Sequence, residues 1–230
     1  MKVVLVSHTP DPEKVVAAAA KQCYSPRFAA DIVDTLEPDA AGEFIQRVVS
    51  WGHASVIEHV SFTFAIEGVS RTFTHQLVRS RIASYSQQSQ RYVGFADFRY
   101  VTPPSVERSE EARAVFAETM ETVRAAYKKL TDLGVDKEDA RYVLPNAAET
   151  KIVVTMNARS LLHFFELRLC DRAQWEIRQV AWEMLSLVRE VAPSIFRKAG
   201  PTCVTQGICY EGDLACARAK KVRVRKAEGR

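Results

Sequence analysis

The sequence lacks most features that mark a membrane or fibrous protein. Its 230 residues contain no apolar run near the roughly 18 residues of a membrane helix. The start is apolar over only four positions, so we expect no secretory leader and a cytoplasmic location. Nine glycines and nine prolines exclude a collagen-like or low-complexity chain. Gly-rich phosphate loops of the dinucleotide and nucleoside-triphosphate types are also absent.

Cysteines are few, and their spacing does not suggest a metal site. The five cysteines are an odd count, which favours reduced thiols over a disulfide framework. Cys203, Cys209 and Cys216 are not spaced as the Cys-x-x-Cys of structural zinc sites. His59 follows Glu58 directly, without the His-Glu-x-x-His spacing. We therefore predict no metal, with binding of one by the three late thiols as the alternative.

The net charge of +4 belongs to the end of the chain. Residues 217–230 hold seven Lys or Arg and one acid, a charge of +6, which leaves the first 216 residues at −2. Such a run is usually a solvated tail, and RNA binding is the alternative that it leaves open. Because the body is nearly neutral, we expect no nucleic-acid partner.

Hydrophobic periodicity predicts helices around a few separated strands. Alternation puts Phe62, Phe64 and Ile66 on one face of a half-buried strand. The predicted strands are 2–7, 60–67 and 151–156, and the predicted helices are 12–21, 39–51, 69–78, 110–133, 137–142, 160–169 and 174–191. This pattern indicates an α+β fold with a small, mostly antiparallel sheet. We expect one domain over 1–212 and a basic, flexible tail over 213–230.

One stretch lacks acidic residues altogether. Between Gly68 and Ala96 there is no Asp or Glu, but there are four arginines, Arg71, Arg79, Arg81 and Arg91, among many Ser, Thr and Gln residues. Arginine without lysine favours bidentate recognition of carboxylate or phosphate. The stretch is either a cradle for a phosphorylated ligand or a polar loop that pairs with acids from elsewhere.

A second polar segment lies where a predicted strand meets a predicted helix. It runs from Asn157 to Ser160, and His163 follows Arg159 at helical spacing. Asn157 alone would be an ordinary helix N-cap and His163 an ordinary interface histidine. Helix N-termini also bind anions, so both interpretations stay open.

These segments together carry a family resemblance. The run 79–92, Arg-Ser-Arg-Ile-Ala-Ser-Tyr-Ser-Gln-Gln-Ser-Gln-Arg-Tyr, resembles the signature of flavin-dependent thymidylate synthases, which is Arg-His-Arg, seven residues and Ser. Other segments resemble the family in register: 70–78, His53 with Glu58 and His59, 157–161, His163–Phe164, Leu167–Arg168 and 173–177. The resemblance extends in order from about residue 1 to residue 212.

The resemblance implies an enzyme that methylates dUMP to dTMP, with methylenetetrahydrofolate as carbon donor, FAD as hydride carrier and NADPH as reductant. Arg168 would be the catalytic residue, facing the uracil ring and stabilising charge on it. The residues expected to hold dUMP are Gln76, Leu77, Val78, Arg79, Gln87, Gln88, Ser89, Gln90, Arg91, Arg141 and Arg168. Those expected to contact FAD are His53, Ser55, Glu58, Arg79, Ser80, Arg81, Ile82, Gln87, Asn157, Arg159 and His163.

Two positions depart from the family pattern. Ser80 replaces the middle His of the signature, and Gln87 stands where many members have Glu. A serine hydroxyl can hydrogen-bond to a cofactor but carries no charge near neutral pH. A weakened flavin- and dUMP-binding variant is therefore the alternative function. The resemblance also implies a homotetramer with shared active sites.

Overall fold

A computed structural model describes residues 1–36, 38–212, 216–218 and 223–224, and the side chains of 38–40, 223 and 224 are outside this description. Most of the predicted tail, 213–230, therefore lies outside the described residues. Within the described part, no helix is long and apolar enough to cross a membrane. The fold is α+β, as the sequence predicts.

Four strands form a small antiparallel sheet in the order β1-β2-β4-β3. Two shorter strands, β5 and β6, pair in parallel. The strands are β1 (Lys2–His8), β2 (Ser61–Ser70), β3 (Ser84–Gln87), β4 (Glu149–Asn157), β5 (Ile208–Cys209) and β6 (Arg223–Val224).

The helices range from one turn to 23 residues. They are α1 (Pro12–Gln22), α2 (Ala29–Asp34), α3 (Pro38–Ser50), α4 (Arg71–Leu77), α5 (Pro104–Glu107), α6 (Glu110–Asp132), α7 (Lys137–Ala140), α8 (Ala158–Arg168), α9 (Trp175–Val191), α10 (Pro193–Phe196) and α11 (Thr202–Thr205). Two 3₁₀ helices occupy Ala54–His59 and Arg141–Val143.

The chain forms two compact units that are interleaved in sequence. Unit 1 comprises Met1–Lys2, Ile66–Arg79 and Tyr85–Val153. Unit 2 comprises Val3–Ala65, Ser80–Ser84 and Val154–Arg230. The expectation of a single domain over 1–212 stays a prediction.

Unit 1 is organised around the long helix α6. The Ser109 hydroxyl caps its first turn by accepting from the amide of Ala112 at 3.2 Å. Its buried face packs Met120 and Tyr127 against Phe95 and Phe98. The Tyr127 hydroxyl accepts from the amide of Phe95 at 3.3 Å, so the one polar atom of this side chain is satisfied within the core.

Unit 2 has an aromatic core. Phe62 and Phe165 both pack edge-on against Phe196 of α10, with ring centroids 5.4 and 6.0 Å apart. β2 and β4 are linked on their other face by the hydroxyls of Thr63 and Thr155, 2.9 Å apart. Alternation along β2 thus buries its phenylalanines and leaves its threonine half-buried.

Most long predicted elements are confirmed, and one boundary is corrected. The predicted helix over 69–78 begins later, because β2 continues to Ser70 and the Ser70 side chain caps α4 by accepting from the amide of Phe73 at 3.1 Å. The short elements β3, α2 and the 3₁₀ helix Ala54–His59 were not predicted.

Candidate active site

The acid-free stretch forms a connected substructure in unit 1. It includes α4, which carries Gln76 and Leu77, then Val78 and Arg79. Residues 80–84 belong to unit 2, and the stretch continues in unit 1 with the last residues of β3 and the loop that follows. Val78 and Arg79 are exposed and Gln76 is half-buried. The polar side chains of this stretch, which contains no acidic residue, are thus carried by the short, capped helix α4 and by strand β3.

Gln87 is fixed by two buried threonines. Its amide nitrogen donates to the hydroxyl of Thr74 at 3.0 Å and to that of Thr150 at 3.2 Å. Both threonines are nearly inaccessible to solvent. Because both amide hydrogens are engaged, the amide oxygen is the atom that Gln87 can present to a ligand, as an acceptor.

Two arginines, Arg91 and Arg141, contact Glu138, and a third, Arg71, lies near Arg141. The Arg91 Nε donates to the Glu138 carboxylate at 2.6 Å, and the Arg141 Nε donates to the main-chain carbonyl of Glu138 at 3.0 Å. Burial lowers the pKa of Arg71, and the nearby Arg141 guanidinium lowers it further. Two guanidinium groups that repel each other across a half-buried surface make a favourable site for an anion.

The loop after β3 has several engaged atoms. The amide of Gln88 donates to the carbonyl of Lys151 at 3.0 Å, so it is used in pairing and not available to a ligand. The Ser89 hydroxyl accepts from the amide of Arg91 at 3.2 Å, which shapes the turn. Gln90 is buried, with 8% of its surface exposed.

Leu77 does not suit its predicted part in substrate binding. Its side chain is fully buried, and its carbonyl accepts from the Tyr85 hydroxyl at 2.9 Å. Both its apolar and its polar groups are therefore used inside the protein. Leu77 packs in the core and joins α4 to β3 through the Tyr85 hydroxyl.

In unit 2, a salt bridge joins the predicted cofactor residues. The Arg159 guanidinium of α8 pairs with the Glu58 carboxylate of the 3₁₀ helix Ala54–His59. Asn157 caps α8, its side-chain oxygen accepting from the amide of Ser160 at 2.8 Å. His163 follows one turn after Arg159, and both are exposed. Asn157 is thus a helix cap, and the helix that it begins exposes Arg159 and His163 on one face.

The other predicted FAD contacts in unit 2 lie in short segments. His53 immediately precedes the 3₁₀ helix that contains Ser55, and both are exposed. Ser80 is half-buried, whereas Arg81 and Ile82 are exposed, Ile82 by 75%. Ile82 is one of several large apolar side chains that the described residues expose, along with Phe28, Tyr92 and Tyr142.

Arg168 is the last residue of α8. Its side chain is half-buried and its Nε atom is buried. A guanidinium at a helix C-terminus is favoured by the helix dipole, which helps to keep the group charged in this partly buried position.

The structure also reveals residues that the sequence reasoning missed. Arg71 and Thr74 lie in the acid-free stretch and in segment 70–78, but neither was assigned a role, and the position of Arg71 beside Arg141 depends on the fold. Glu138 and Thr150 were not singled out, because each contacts a predicted residue that is distant in sequence. Among the described residues, no group of three or more His, Cys, Asp or Glu side chains is placed to hold a metal ion.

The fold is α+β, and unit 1 brings the guanidinium groups of Arg71 and Arg141 close together. A family model described as "Thymidylate synthase complementing protein" matches residues 4–194. The "Flavin-dependent thymidylate synthase" of Geobacter sulfurreducens is 56% identical over 225 residues, covering 97% of each chain. The chain belongs to the flavin-dependent thymidylate synthase family, and it is an enzyme of the methyltransferase class.

Two further comparisons agree with this assignment. The "Flavin-dependent thymidylate synthase" of Clostridium tetani is 50% identical over 239 residues, covering 97% of this chain and 96% of the relative. The crystal structure of flavin-dependent thymidylate synthase ThyX from Helicobacter pylori, complexed with FAD and dUMP, has a TM-score of 0.69 and 25% identity. It covers 87% of this chain and 100% of that chain.

Proposed function

We propose that this protein catalyses the FAD-dependent reductive methylation of dUMP to dTMP, with methylenetetrahydrofolate as carbon donor and NADPH as reductant. The observation that carries the proposal is the 56% identity to a flavin-dependent thymidylate synthase over 97% of both chains. The Helicobacter pylori neighbour, whose structure contains FAD and dUMP, supports the choice of ligands.

The arginine cluster of unit 1 would bind the dUMP phosphate. Arg91 and Arg141 both contact Glu138, so their guanidinium groups lie within reach of one dianion. Arg71 adds a third positive charge beside Arg141. Gln87 would accept a hydrogen bond from the nucleotide, and Gln76, Val78, Arg79, Gln88, Ser89 and Gln90 would surround it. Charge-assisted hydrogen bonds of this kind are short and strong.

The exposed groups of unit 2 fit FAD. Its pyrophosphate is anionic, and Arg81, Arg159 and His163 are exposed donors, two of them on one face of α8. Arg159 uses one of its nitrogens on Glu58, and a guanidinium has five donor hydrogens, so it can serve a phosphate as well. His53, Ser55, Arg79, Ser80, Ile82 and Asn157 would complete the contacts. When bound, reduced FAD supplies a hydride and methylenetetrahydrofolate supplies the carbon.

Arg168 would act on the pyrimidine. Its guanidinium stays cationic at any working pH and can form two parallel hydrogen bonds to a carbonyl that gains negative charge. A preorganised donor of this type is typically worth on the order of 10²–10³ in rate. The protein would therefore activate dUMP by electrostatics, without a cysteine nucleophile.

We test this role with Arg168→Ala. The variant should fold normally but lose dUMP-dependent oxidation of reduced flavin by about 10²-fold or more. Stopped-flow absorbance of the flavin measures the rate, and circular dichroism checks the fold. Arg113→Ala, which removes an exposed arginine of α6, is the matched control. Unchanged oxidation in Arg168→Ala would contradict the assignment.

We further propose a homotetramer with shared active sites in the cytoplasm. The predicted FAD contacts of unit 2 are mostly exposed in the single chain, Ile82 by 75%. A second copy that covers them would complete a pocket and remove apolar surface from water. Light scattering should give four times the 25.8 kDa chain mass, and a monomer that binds FAD tightly would contradict the proposal.

Ser80 supports a second candidate function, a flavin- and dUMP-binding variant with weakened catalysis. The serine replaces the histidine of the family signature and cannot carry its charge. Release of tritium from 5-tritiated dUMP distinguishes the two, because the full enzyme must replace that hydrogen and a binding protein need not. We expect Ser80→His to raise turnover; a lower turnover would show that the site is adapted to serine.

A further inference from the structure

Gln87 belongs to a chain of hydrogen bonds in unit 1 whose direction can be determined. The Thr74 hydroxyl donates to the carbonyl of Arg71, one turn earlier in α4, at 3.0 Å. A hydroxyl has a single hydrogen, so the same oxygen can act towards Gln87 only as an acceptor. The Gln87 atom that lies 3.0 Å from this oxygen must therefore be the amide nitrogen.

The second amide hydrogen of Gln87 is used by Thr150. The amide nitrogen donates to the Thr150 hydroxyl at 3.2 Å. Thr74 and Thr150 are 1% and 3% exposed, so water has little access to either acceptor. Both hydrogens of the amide are thus directed into the protein, and the oxygen is left on the other arm of the planar group.

Main-chain hydrogen bonds fix the segments that carry the two threonines. The amides of Arg71 and Thr72, at the start of α4, donate to the carbonyls of Ala148 and Asn146, each at 3.1 Å. These carbonyls come just before β4, and Thr150 is the second residue of that strand. The backbone therefore determines where the two hydroxyls lie relative to each other.

An amide held in this way recognises hydrogen-bond donors and not acceptors. In dUMP the phosphate and ring carbonyl oxygens are acceptors, whereas the sugar 3′-hydroxyl and the ring N3–H each carry a hydrogen. A nucleotide without the hydrogen that Gln87 contacts would leave the amide oxygen unpaired in the complex. A binding site built around a hydrogen bond rejects such an analogue, because the unpaired group has lost its contact with water.

We propose that Thr74 and Thr150 are positioning residues that hold Gln87 as a hydrogen-bond acceptor, through which the site selects a nucleotide by its 3′-hydroxyl or its N3–H. This inference rests on the proposed function, because it takes dUMP as the ligand. A glutamine suits the arrangement better than the Glu that many family members have at this position. A carboxylate has no hydrogen to donate, so Thr74 would have to turn its own hydrogen away from the Arg71 carbonyl.

The test compares dUMP with two analogues, each titrated calorimetrically into the full-length protein with FAD bound. One analogue, 2′,3′-dideoxyuridine 5′-monophosphate, lacks the 3′-hydroxyl, and the other, N3-methyl-dUMP, lacks the N3 hydrogen. For at least one of them, the Kd of the wild-type protein should be about fivefold or more above that for dUMP. The analogue whose penalty disappears in Gln87→Met identifies the donor group that Gln87 contacts.

Variants of the threonines separate positioning from packing. Thr74→Val and Thr150→Val keep the side-chain shape but remove the hydroxyl, so each should reduce the penalty for that analogue to less than about twofold. Thr74→Ser keeps the hydroxyl and should retain the wild-type penalty. The control is Thr72→Val on the same helix, since the Thr72 hydroxyl contacts the Asn146 carbonyl and not Gln87. Circular dichroism checks that each variant is folded.

The outcomes distinguish this inference from the proposed function. If dUMP binds but the wild-type protein discriminates against neither analogue, the inference is wrong and the proposed function stands. The same holds if Thr74→Val keeps the full penalty, or if Thr74→Ser loses it as completely as Thr74→Val. Failure of dUMP to bind the wild-type protein would overturn both.

Discussion

The ion pair between Arg91 and Glu138 should compete with the substrate. The two side chains are about half exposed, 53% and 49%, and their charged atoms are 2.6 Å apart. If the dUMP phosphate uses Arg91, that guanidinium must share or leave the Glu138 carboxylate. Glu138→Gln removes the competing negative charge but keeps the main-chain carbonyl that accepts from Arg141. We therefore expect this substitution to tighten dUMP binding.

The size of the expected change in dUMP affinity follows from how exposed the Arg91–Glu138 ion pair is. Salt bridges at exposed positions contribute about 0.2–1 kcal/mol. If binding breaks the pair, Glu138→Gln should lower the Kd for dUMP by about 1.4-fold to 5-fold, because about 1.4 kcal/mol is a factor of ten. The free energy of unfolding of the ligand-free protein should fall by a similarly small amount, about 0.2–1 kcal/mol.

Calorimetric titration with dUMP measures the change, and deoxyuridine serves as the ligand control. Because deoxyuridine lacks the phosphate, its affinity should not change. Glu121→Gln is the protein control, since it removes an acid that pairs with Arg124 on α6. A Kd for dUMP that rises in Glu138→Gln would mean that the carboxylate orients Arg91 for binding, and would refute the reasoning.

Two further predictions concern stability, measured by urea unfolding. Gly42→Ala should lower the free energy of unfolding by about 1 kcal/mol or more, because the new Cβ would lie 2.6 Å from the Ser194 hydroxyl oxygen. Because Ser194→Gly alone loses the hydrogen bond from the Ser194 hydroxyl to Glu13, it is the reference. Adding Gly42→Ala to it should cause no further loss, and a further loss would exclude the overlap as the cause. Tyr127→Phe should cost about 0.5–1.5 kcal/mol by removing the acceptor for the Phe95 amide. No loss would show that this amide finds another partner.

The elements that the sequence predicts best are those in which buried and exposed side chains follow each other at a regular spacing. Phe62, Phe64 and Ile66 alternate, and all three are fully buried in β2. The strand β3 escaped prediction because Ser-Tyr-Ser-Gln has no apolar alternation and its pairing with β4 is a long-range property. The 3₁₀ helix Ala54–His59 escaped because one or two irregular turns leave little periodicity.

The sequence predicted which types of residue form the candidate site, but not which of them contact each other. The acid-free stretch marked Arg91, yet its partner Glu138 is 47 residues away and belongs to an ordinary acidic helix.

The strands β2 and β4 each pass from one compact unit into the other. Each unit is assembled from three separate pieces of sequence, so no contiguous fragment consists of one unit alone. A cut between β3 and β4 would separate β4 from both of its neighbours in the sheet, β2 and β3. A slip of one residue in β2 would also reverse which side chains face inward in both units at once. Deletion of a unit is therefore not a route to a smaller enzyme, and calorimetry should record a single melting transition.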